Sequence, residues 1–460
     1  MKYNSRTLKS LVWPSEPFRD YITKWGVICG VIGILTGLSV VVLDEVINIL
    51  LLGNAFGGES YTGLVVRIYD ASPAFSFLLP FVGLTTTGLL LYRFTSKPLL
   101  SGTDEILDHY HSNRRPLGIR EGFAKFIASI LTIGLGGSTG LEGPSINVGG
   151  VIASNVWKRF QKRYKLSEED LRIVLLAGAS AGIAAVFKAP LTGIIFALEV
   201  PYKNDLATRA FHQSILAGVV SYITLAAIEG SQPLFSIPTV PASLNLFVNP
   251  SNFAYTAILA ACVGLIVMGF VALLEWIRNF RTEHRFPRIT RFVAAGAALG
   301  AIALLLRLTV TQPLTYGAGY DVIEQALLGQ YTVQLLVSLL VLRMIASAVT
   351  IGSGGVGGLF FPLALLGALT GSLFGLVVHG NPGLWGSVGI AAAISGGYKT
   401  PLCAVTFIGD ATGSVSYLVL GMIASGISYL ISGRRSVSNE QIMLEELRPD
   451  GLSKVKGTER

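Results

Sequence analysis

The sequence predicts an all-α polytopic membrane protein, built from two inverted-topology repeats of many tilted, partly broken helices. Two observations predict this fold: long apolar runs, and a repeated order of glycine-rich breaks. Of 460 residues, 51% are hydrophobic and 13% are charged, about half the charged fraction of soluble domains. Several runs reach the roughly 17–25 residues that a helix needs to cross a bilayer. The runs cover residues 25–43, 74–91, 173–187, 210–228, 254–274, 292–306, 333–351 and 359–378.

The basic residues lie in short segments between the apolar runs and indicate orientation. They concentrate at 2–24, 158–172 and 278–291, whereas 230–274 contains no charged residue. By the positive-inside rule we expect these segments and both termini in the cytoplasm, for a multi-pass protein of the cell (inner) membrane. The net charge of +8 therefore does not indicate a nucleic-acid partner. We expect residues 1–24 to be a cytoplasmic segment, and 433–460 a short cytoplasmic tail without a soluble regulatory domain.

The side chains that usually carry catalysis are scattered. Cys29, Cys262 and Cys403 are far apart and follow no metal-binding or disulfide spacing. An intramembrane enzyme would require paired titratable groups on facing helices, and His212 and His379 have no obvious partners. A cation transporter would need acids at mid-membrane without amide-rich helix starts. We therefore expect no enzyme activity, no metal and no cofactor.

The chain contains an internal repeat. The segment GASAGIAAVFKAPLTGIIFALE (178–199) corresponds to GIAAAISGGYKTPLCAVTFIGD (389–410), which aligns Pro190 with Pro401 and Glu199 with Asp410. Upstream, GSTGLEGP (137–144) corresponds to GSGGVGGLFFP (352–362). Two matches in the same order predict two halves, about 25–230 and 254–432. Transporters are often built from such repeats and bind their substrate at broken helices.

The glycine-rich breaks predict an anion site. In 138–144 and 352–362 a proline stands where the next apolar helix begins, a position that suits proline. A helix start presents free N–H groups and a partial positive charge, so converging starts can bind an anion without a full positive charge. Glu142 lies in the first of these breaks. An isolated acid inside a membrane protein is costly and is a functional candidate by default, and its carboxylate could compete with the anion for the amides.

At these residues the chain resembles the CLC family of chloride channels and proton–chloride antiporters. The family's GREGP motif appears as GLEGP at 140–144, its GxFxP motif as GLFFP at 358–362, and its GSGIP motif only partially, as LSGTD at 100–104. The resemblance extends from about Trp25 to Ile431. It implies an all-helical homodimer in the lipid bilayer, with one anion pathway in each subunit.

The resemblance also implies roles for single residues. Glu142 matches the gating glutamate, and Tyr417, with a one-residue gap, is the candidate for the family's central tyrosine. Ser101 and Pro144 are both retained, which favours chloride over nitrate and fluoride as the transported ligand. The expected anion-binding set is Ser101, Gly102, Gly140, Gly143, Leu359, Phe360 and Tyr417.

One departure from the family bears on proton coupling. Proton-coupled members often have two successive acids at the end of the helix that FALEVPY (196–202) resembles, and the second acid is the internal proton relay. Here the pair reads Glu199-Val200, and valine cannot titrate. Two alternatives stay open. The sequence favours passive or weakly coupled chloride conduction gated by Glu142; the alternative is coupled proton–chloride exchange, with Glu199 or water in place of the relay acid.

Overall fold

The computed structural model describes residues 18–51, 63–95, 100–112, 116–235, 250–283, 288–310, 312–414 and 417–444. Within these ranges the chain forms 17 α-helices and one 3₁₀ turn, Thr208–Ala210, and no strand beyond two isolated bridges. In chain order the helices are α1 (Phe18–Leu51), α2 (Leu64–Ala71), α3 (Pro73–Phe94), α4 (Gly102–Ser112), α5 (Ile119–Gly134), α6 (Glu142–Tyr164), α7 (Glu168–Val186), α8 (Pro190–Glu199), α9 (Phe211–Glu229), α10 (Ser251–Glu283), α11 (Arg288–Arg307), α12 (Tyr320–Leu327), α13 (Val333–Ser353), α14 (Phe360–Val377), α15 (Pro382–Tyr398), α16 (Pro401–Thr412) and α17 (Leu418–Ile431).

Seven of the described helices are long and apolar enough to cross a membrane: α1, α3, α9, α10, α11, α13 and α14. The predicted run 173–187 lies mainly in α7, whose residues from Val174 to Val186 are all buried in the protein. A helix surrounded by other helices needs no lipid-facing side. The predicted all-α, multi-pass membrane fold is therefore confirmed, with broken helices such as α8 and α16 packed inside it.

Glycine contacts occur in matching positions in the two halves. A Cβ atom on Gly149 would lie 2.0 Å from the carbonyl oxygen of Gly178, and one on Gly178 would lie 2.2 Å from that of Gly149. In the second half, Gly367 and Gly389 approach each other in the same way, at 2.3 and 2.2 Å. Only glycine allows two helices to pack with their backbones in contact. Thus α6 crosses α7 as α14 crosses α15.

The loops before α6 and α14 are tied together by exchanged hydrogen bonds. The N–H of Ser138 donates to Thr350 Oγ1 at 3.2 Å, and the N–H of Val356 donates to Thr132 Oγ1 at 3.3 Å. These residues correspond when Pro144 is aligned with Pro362. The two glycine-rich breaks therefore meet across a local two-fold relation. The predicted half boundaries, 25–230 and 254–432, stay predictions.

The short helices α8 and α16 cap each other. The Glu199 carboxylate at the end of α8 accepts hydrogen bonds from the N–H groups of Leu402 and Cys403 at the start of α16, at 3.0 and 2.8 Å. The Asp410 carboxylate in α16 accepts from the N–H and the hydroxyl of Thr192 in α8, both at 3.0 Å. The two helices are therefore antiparallel. We name the two ends of α8 the Lys188 side and the Glu199 side.

The region after α17 differs from the predicted polar tail. Residues 433–444, here called the C-terminal strap, pack along the Glu199 side. The N–H of Val437 donates to Gly397 O at 2.9 Å, and the Gln441 side chain donates to Tyr398 O at 2.7 Å. Ser436, Ser438 and Gln441 of the strap are buried, and Gln441 accepts a hydrogen bond from the Ser436 hydroxyl. The described part of the predicted tail thus packs against the helices, while residues 1–17 and 445–460 of the predicted terminal segments lie outside the described residues. The predicted bounds 1–24 and 433–460 stay predictions.

Candidate functional site

The Glu142 carboxylate is bound at the start of another helix. Glu142 is the first residue of α6 and its exposed fraction is 0%. Its Oε1 accepts hydrogen bonds from the N–H groups of Phe360 and Phe361, at 2.6 and 3.2 Å. These are the first two residues of α14, whose N–H groups have no partner within their own helix. The acid thus occupies the kind of amide site that an anion would use.

Glycines leave the space that this carboxylate fills. A Cβ atom on Gly140 would lie 1.8 Å from Glu142 Oε2, and one on Gly358 would lie 2.1 Å from Oε1. Gly140 and Gly358 also exchange backbone hydrogen bonds of 3.1 and 2.9 Å, which fix the two breaks side by side. Gly143 lies against Gly357, where a Cβ would be 2.3 Å from the carbonyl oxygen. Glu142 Oε2 is buried and has no hydrogen-bond partner.

The start of α4 meets the start of α6. A Cβ on Gly102 would lie 1.9 Å from the carbonyl oxygen of Gly143. The Ser101 hydroxyl accepts a hydrogen bond from the N–H of Asp104 at 3.2 Å, so it caps the new helix. The partial LSGTD motif therefore starts a helix at Gly102 despite its departures. Three helix starts, those of α4, α6 and α14, converge at the site.

Asp104, which stands where the resembling motif has proline, is held by two partners. Its carboxylate accepts a hydrogen bond from the Ser438 hydroxyl in the C-terminal strap and lies 3.7 Å from Arg278 Nη2. Arg278 also donates to Val437 O at 2.9 Å. The strap is therefore joined to the start of α4 by a buried polar link.

Sequence reasoning missed Tyr398, the last residue of α15. Tyr398 is 2% exposed, and its hydroxyl lies beside the Thr103 side chain and the backbone of Leu359, within electrostatic range of Glu142. Its ring centroid is 6.3 Å from that of Phe360. The repeat carried one available signal, because Tyr398 aligns with Phe187 in the first half. Each residue stands at the C-terminal end of a helix, and the lysine that follows it, Lys188 or Lys399, has a positive φ.

The structure places Tyr417 elsewhere. Tyr417 precedes α17, and Gly421, one turn later, lies beside Ala391 and Ile408. Ala391 is about two helical turns before Tyr398 along α15. Tyr417 is therefore separated from the Glu142 site by several turns. The structure favours Tyr398, the last residue of α15, over the predicted Tyr417, which precedes α17, as the tyrosine beside the gate.

Aromatic rings surround the amides that hold Glu142. The Phe187 ring centroid lies 4.8 Å from that of Phe360, 5.3 Å from that of Phe361 and 5.2 Å from that of Phe407. All four rings are fully buried. Such apolar surroundings strengthen hydrogen bonds to a charged group and make an unpaired one costly.

Each side of the site carries a buried cation. On the Lys188 side, a cavity of about 640 Å³ extends from Arg343 to Leu141, next to the gate. We name this cavity the vestibule. The Arg343 guanidinium donates to backbone carbonyls, including Leu314 O at 2.7 Å and Gly317 O at 2.9 Å. Lys125 corresponds to Arg343 when Pro144 is aligned with Pro362. Its ammonium group pairs with the Glu105 carboxylate at 2.7 Å.

The Glu199 side contains a second cavity, of about 250 Å³, lined by Glu199, Lys203, Lys399 and Tyr429 among others. Glu199 is 5% exposed, so its carboxylate is buried although it lines this cavity. Val200 follows it and is 2% exposed. The Glu199 carboxylate is thus held at the start of α16, and the next residue in the chain is apolar.

The sequence model of the voltage gated chloride channel family matches residues 82–433. The chain belongs to this family, known also as CLC. The match includes Glu142, both glycine-rich breaks and Tyr398, although not the C-terminal strap beyond Gly433. The resemblance found in the sequence is thereby confirmed. Within the described part of the chain, no group of three or more metal-ligating side chains is placed to hold an ion.

Similar curated proteins carry the name H(+)/Cl(-) exchange transporter ClcA. That of Vibrio parahaemolyticus is 28% identical over 384 residues, which are 81% of this chain and 78% of the relative. That of Vibrio vulnificus is 26% identical over 447 residues, 91% of each chain. That of Salmonella paratyphi A is 27% identical over 417 residues, 85% of this chain and 82% of the relative.

Solved CLC structures share the fold. A CLC-type fluoride/proton antiporter matches with a TM-score of 0.78 and 21% identity, over 93% of this chain and all of that one. A slow cyanobacterial Cl⁻/H⁺ antiporter matches with a TM-score of 0.76 and 21% identity, over 89% and 95% of the two chains. At 21% identity, this similarity shows a shared fold.

Proposed function

We propose that this protein exchanges chloride for protons across a membrane, with Glu142 as the gate. One observation carries the proposal: the Glu142 carboxylate is seated on the amides of Phe360 and Phe361, in an anion's place. A carboxylate leaves such a site more readily once it is protonated, because the neutral acid interacts less with the positive helix end. Chloride can then bind the same amides, and movement of the two ions becomes coupled.

Coupled exchange is preferred here over the passive conduction that the sequence favours. The relatives' names describe H(+)/Cl(-) exchange, and each cited relative aligns over most of its length. The absence of an acid at Val200 argues against the usual inner relay, not against the gate. The cavity beside Glu199 offers room for water on the Glu199 side, where a relay acid would otherwise be expected.

Chloride is the proposed anion. Ser101 and Pro144 are retained, which is the sequence argument for chloride over fluoride. In the proposed central site, the Ser101 hydroxyl and the Tyr398 hydroxyl face the anion, followed by the amides from Leu359 to Phe361. Gly102, Gly140 and Gly143 allow the three helix starts to converge on it. We further propose a homodimer in the inner membrane with cytoplasmic termini, as the family resemblance and the basic segments imply.

Purified protein in liposomes tests the function directly. Vesicles loaded with high chloride are diluted into low chloride, and external chloride and pH are followed together with the membrane potential clamped. We expect outward chloride movement to drive protons inward against their own gradient. Chloride movement without proton movement would reject exchange and favour passive conduction. Glu142→Gln, which mimics the protonated acid, is expected to retain chloride flux and lose proton movement.

A further inference from the structure

A second buried ionisable cluster lies on the Lys188 side, where it lines a cavity of about 140 Å³. It combines Asp44 from α1, Lys188 from the turn before α8, Glu229 from the end of α9 and Tyr320 from the start of α12. Lys188 Nζ lies 3.3 Å from Glu229 Oε2, and Asn48 donates to Asp44 at 3.0 Å. The volume suffices for several water molecules. Asp44, Lys188 and Glu229 have no role in the site described above, whereas Asn48 and Tyr320 also line the vestibule and so connect the two cavities.

The acidic side chains that line this cavity outnumber the basic ones. Two carboxylates, those of Asp44 and Glu229, line the cavity together with the ammonium group of Lys188. Two buried polar atoms in it, Glu229 Oε1 and the Tyr320 hydroxyl, have no hydrogen-bond partner. Buried polar atoms are normally satisfied, so such atoms around a water-sized space point to exchangeable water or a proton.

Tyr320 connects this cluster to the gate. Its ring centroid is 4.2 Å from that of Phe361, whose N–H donates to Glu142. Its hydroxyl is in electrostatic range of Asp44, Glu142 and Glu229 at the same time. Glu142 Oε2, on the gate itself, is likewise a buried atom without a partner. Glu142 and Glu229, each with one unsatisfied oxygen, therefore both lie within electrostatic range of the unsatisfied Tyr320 hydroxyl.

We infer that the cavity between Asp44, Lys188, Glu229 and Tyr320 is a proton-exchange station for the gate on the Lys188 side. The station rests on the proposed proton coupling and deepens it. In the forward step, the protonated Glu142 gives its proton through water to the Tyr320 oxygen, while the Tyr320 hydroxyl proton passes through water to the Glu229 carboxylate. Tyr320 is unchanged, Glu142 becomes an anion, and Glu229 becomes a neutral acid. Asp44 and Lys188 stay charged while Glu229 releases the proton to solvent.

The test is dual-flux measurement in proteoliposomes with Asp44→Asn/Glu229→Gln and with Tyr320→Phe. Tyr320→Phe keeps the ring on Phe361 and removes the hydroxyl alone. We expect each variant to slow proton movement by tenfold or more while chloride movement changes by less than twofold. The matched control is Glu168→Gln, which removes an exposed acid in the first turn of α7 that lines neither the vestibule nor this cavity; it should leave both fluxes unchanged. Unaltered proton movement in both station variants would overturn the station.

A second readout separates the station from coupling itself. Infrared difference spectra on chloride addition report protonated carboxyl groups in purified protein, whether or not it moves protons. We expect one carboxyl band to vanish in Glu142→Gln and another in Glu229→Gln. If wild type moves chloride alone, exchange fails, and a Glu229 band that responds to chloride would still support the station. Absence of any Glu229-dependent band would reject it.

Discussion

Substitution of Gly358 by alanine should displace the Glu142 carboxylate from its amide site while leaving Glu142 itself unmutated. The added Cβ would lie 2.1 Å from Glu142 Oε1 and 2.2 Å from Cδ, whereas ordinary contacts of this kind begin near 3.4 Å. The φ of Gly358 is not in the left-handed region, so the backbone can accept alanine. The carboxylate must therefore withdraw by more than about 1 Å, which breaks hydrogen bonds that now measure 2.6 and 3.2 Å.

The size of the effect follows from these two hydrogen bonds. Each bond to a charged group is worth about 1.5–3 kcal/mol, so the seated state loses about 3–6 kcal/mol. Since about 1.4 kcal/mol is a factor of ten, the seated carboxylate becomes at least about a hundredfold less populated relative to the withdrawn one. Chloride then no longer competes with Glu142 for the amides. We expect tighter chloride binding in isothermal titration calorimetry, and loss of proton-driven movement in liposomes.

Two comparisons make the result decisive. Gly426→Ala adds a methyl group where no atom lies within 4 Å and should leave chloride affinity unchanged. Gly358→Ala in a Glu142→Ala background should add nothing, because the side chain it displaces is gone; this is a double-mutant cycle. Chloride affinity that stays at the wild-type level in folded Gly358→Ala would refute the competition argument. An equal gain in the Glu142→Ala background would show that alanine acts on the helix and not on the gate.

Three further outcomes can be checked with similar assays. Tyr398→Phe should weaken chloride binding about tenfold to a hundredfold, the loss of one hydrogen bond to an anion, while the control Tyr417→Phe leaves it unchanged; the reverse pattern would restore Tyr417 to the site. Val200→Glu should raise proton movement per chloride several-fold, and an unchanged ratio would mean that an inner acid at this position does not limit coupling. Glu199→Gln and Asp410→Asn should each lower the thermal unfolding temperature in detergent, because each removes charge from a reciprocal helix cap; stability unchanged in both would contradict the capping role.

The sequence was informative where the repeat made positions comparable. The alignment of 137–144 with 352–362 predicts that the two breaks are equivalent, and in the fold they lie side by side with Gly140 paired to Gly358. The position of Glu142 in a glycine-rich break predicts an acid near free amides. The amides that hold Glu142 are those of Phe360 and Phe361, the first two residues of α14, so one of them, Phe360, belongs to the expected set.

Tertiary contacts without a local signal could not be predicted. The C-terminal strap reads as a polar tail, yet Ser438 is buried because Asp104 accepts its hydroxyl. Arg278 reads as part of a basic loop that sets orientation, yet it neutralises the same Asp104 from α10. Tyr398 ends an apolar helix, and nothing nearby in the chain reveals that α4 and α14 converge on it. Asp104 is more than a hundred residues from both Ser438 and Arg278, and Tyr398 is equally far from α4. Of the residues beside Tyr398, Leu359 is closer in the chain.

A carboxylate on a helix start is by itself no sign of a gate in this protein, because three described acids occupy such positions. Glu199 uses both of its oxygens, one on each of two amides, and Asp410 accepts from both the N–H and the hydroxyl of Thr192. Glu142 is held through Oε1, while Oε2 stays without a partner and faces the space left by Gly140. Withdrawal breaks two hydrogen bonds at either acid, but Glu142 also has an oxygen without a partner, whereas both oxygens of Glu199 are used. On the same reasoning Glu199 is a poor mobile proton carrier, since a change of charge there would loosen the start of α16.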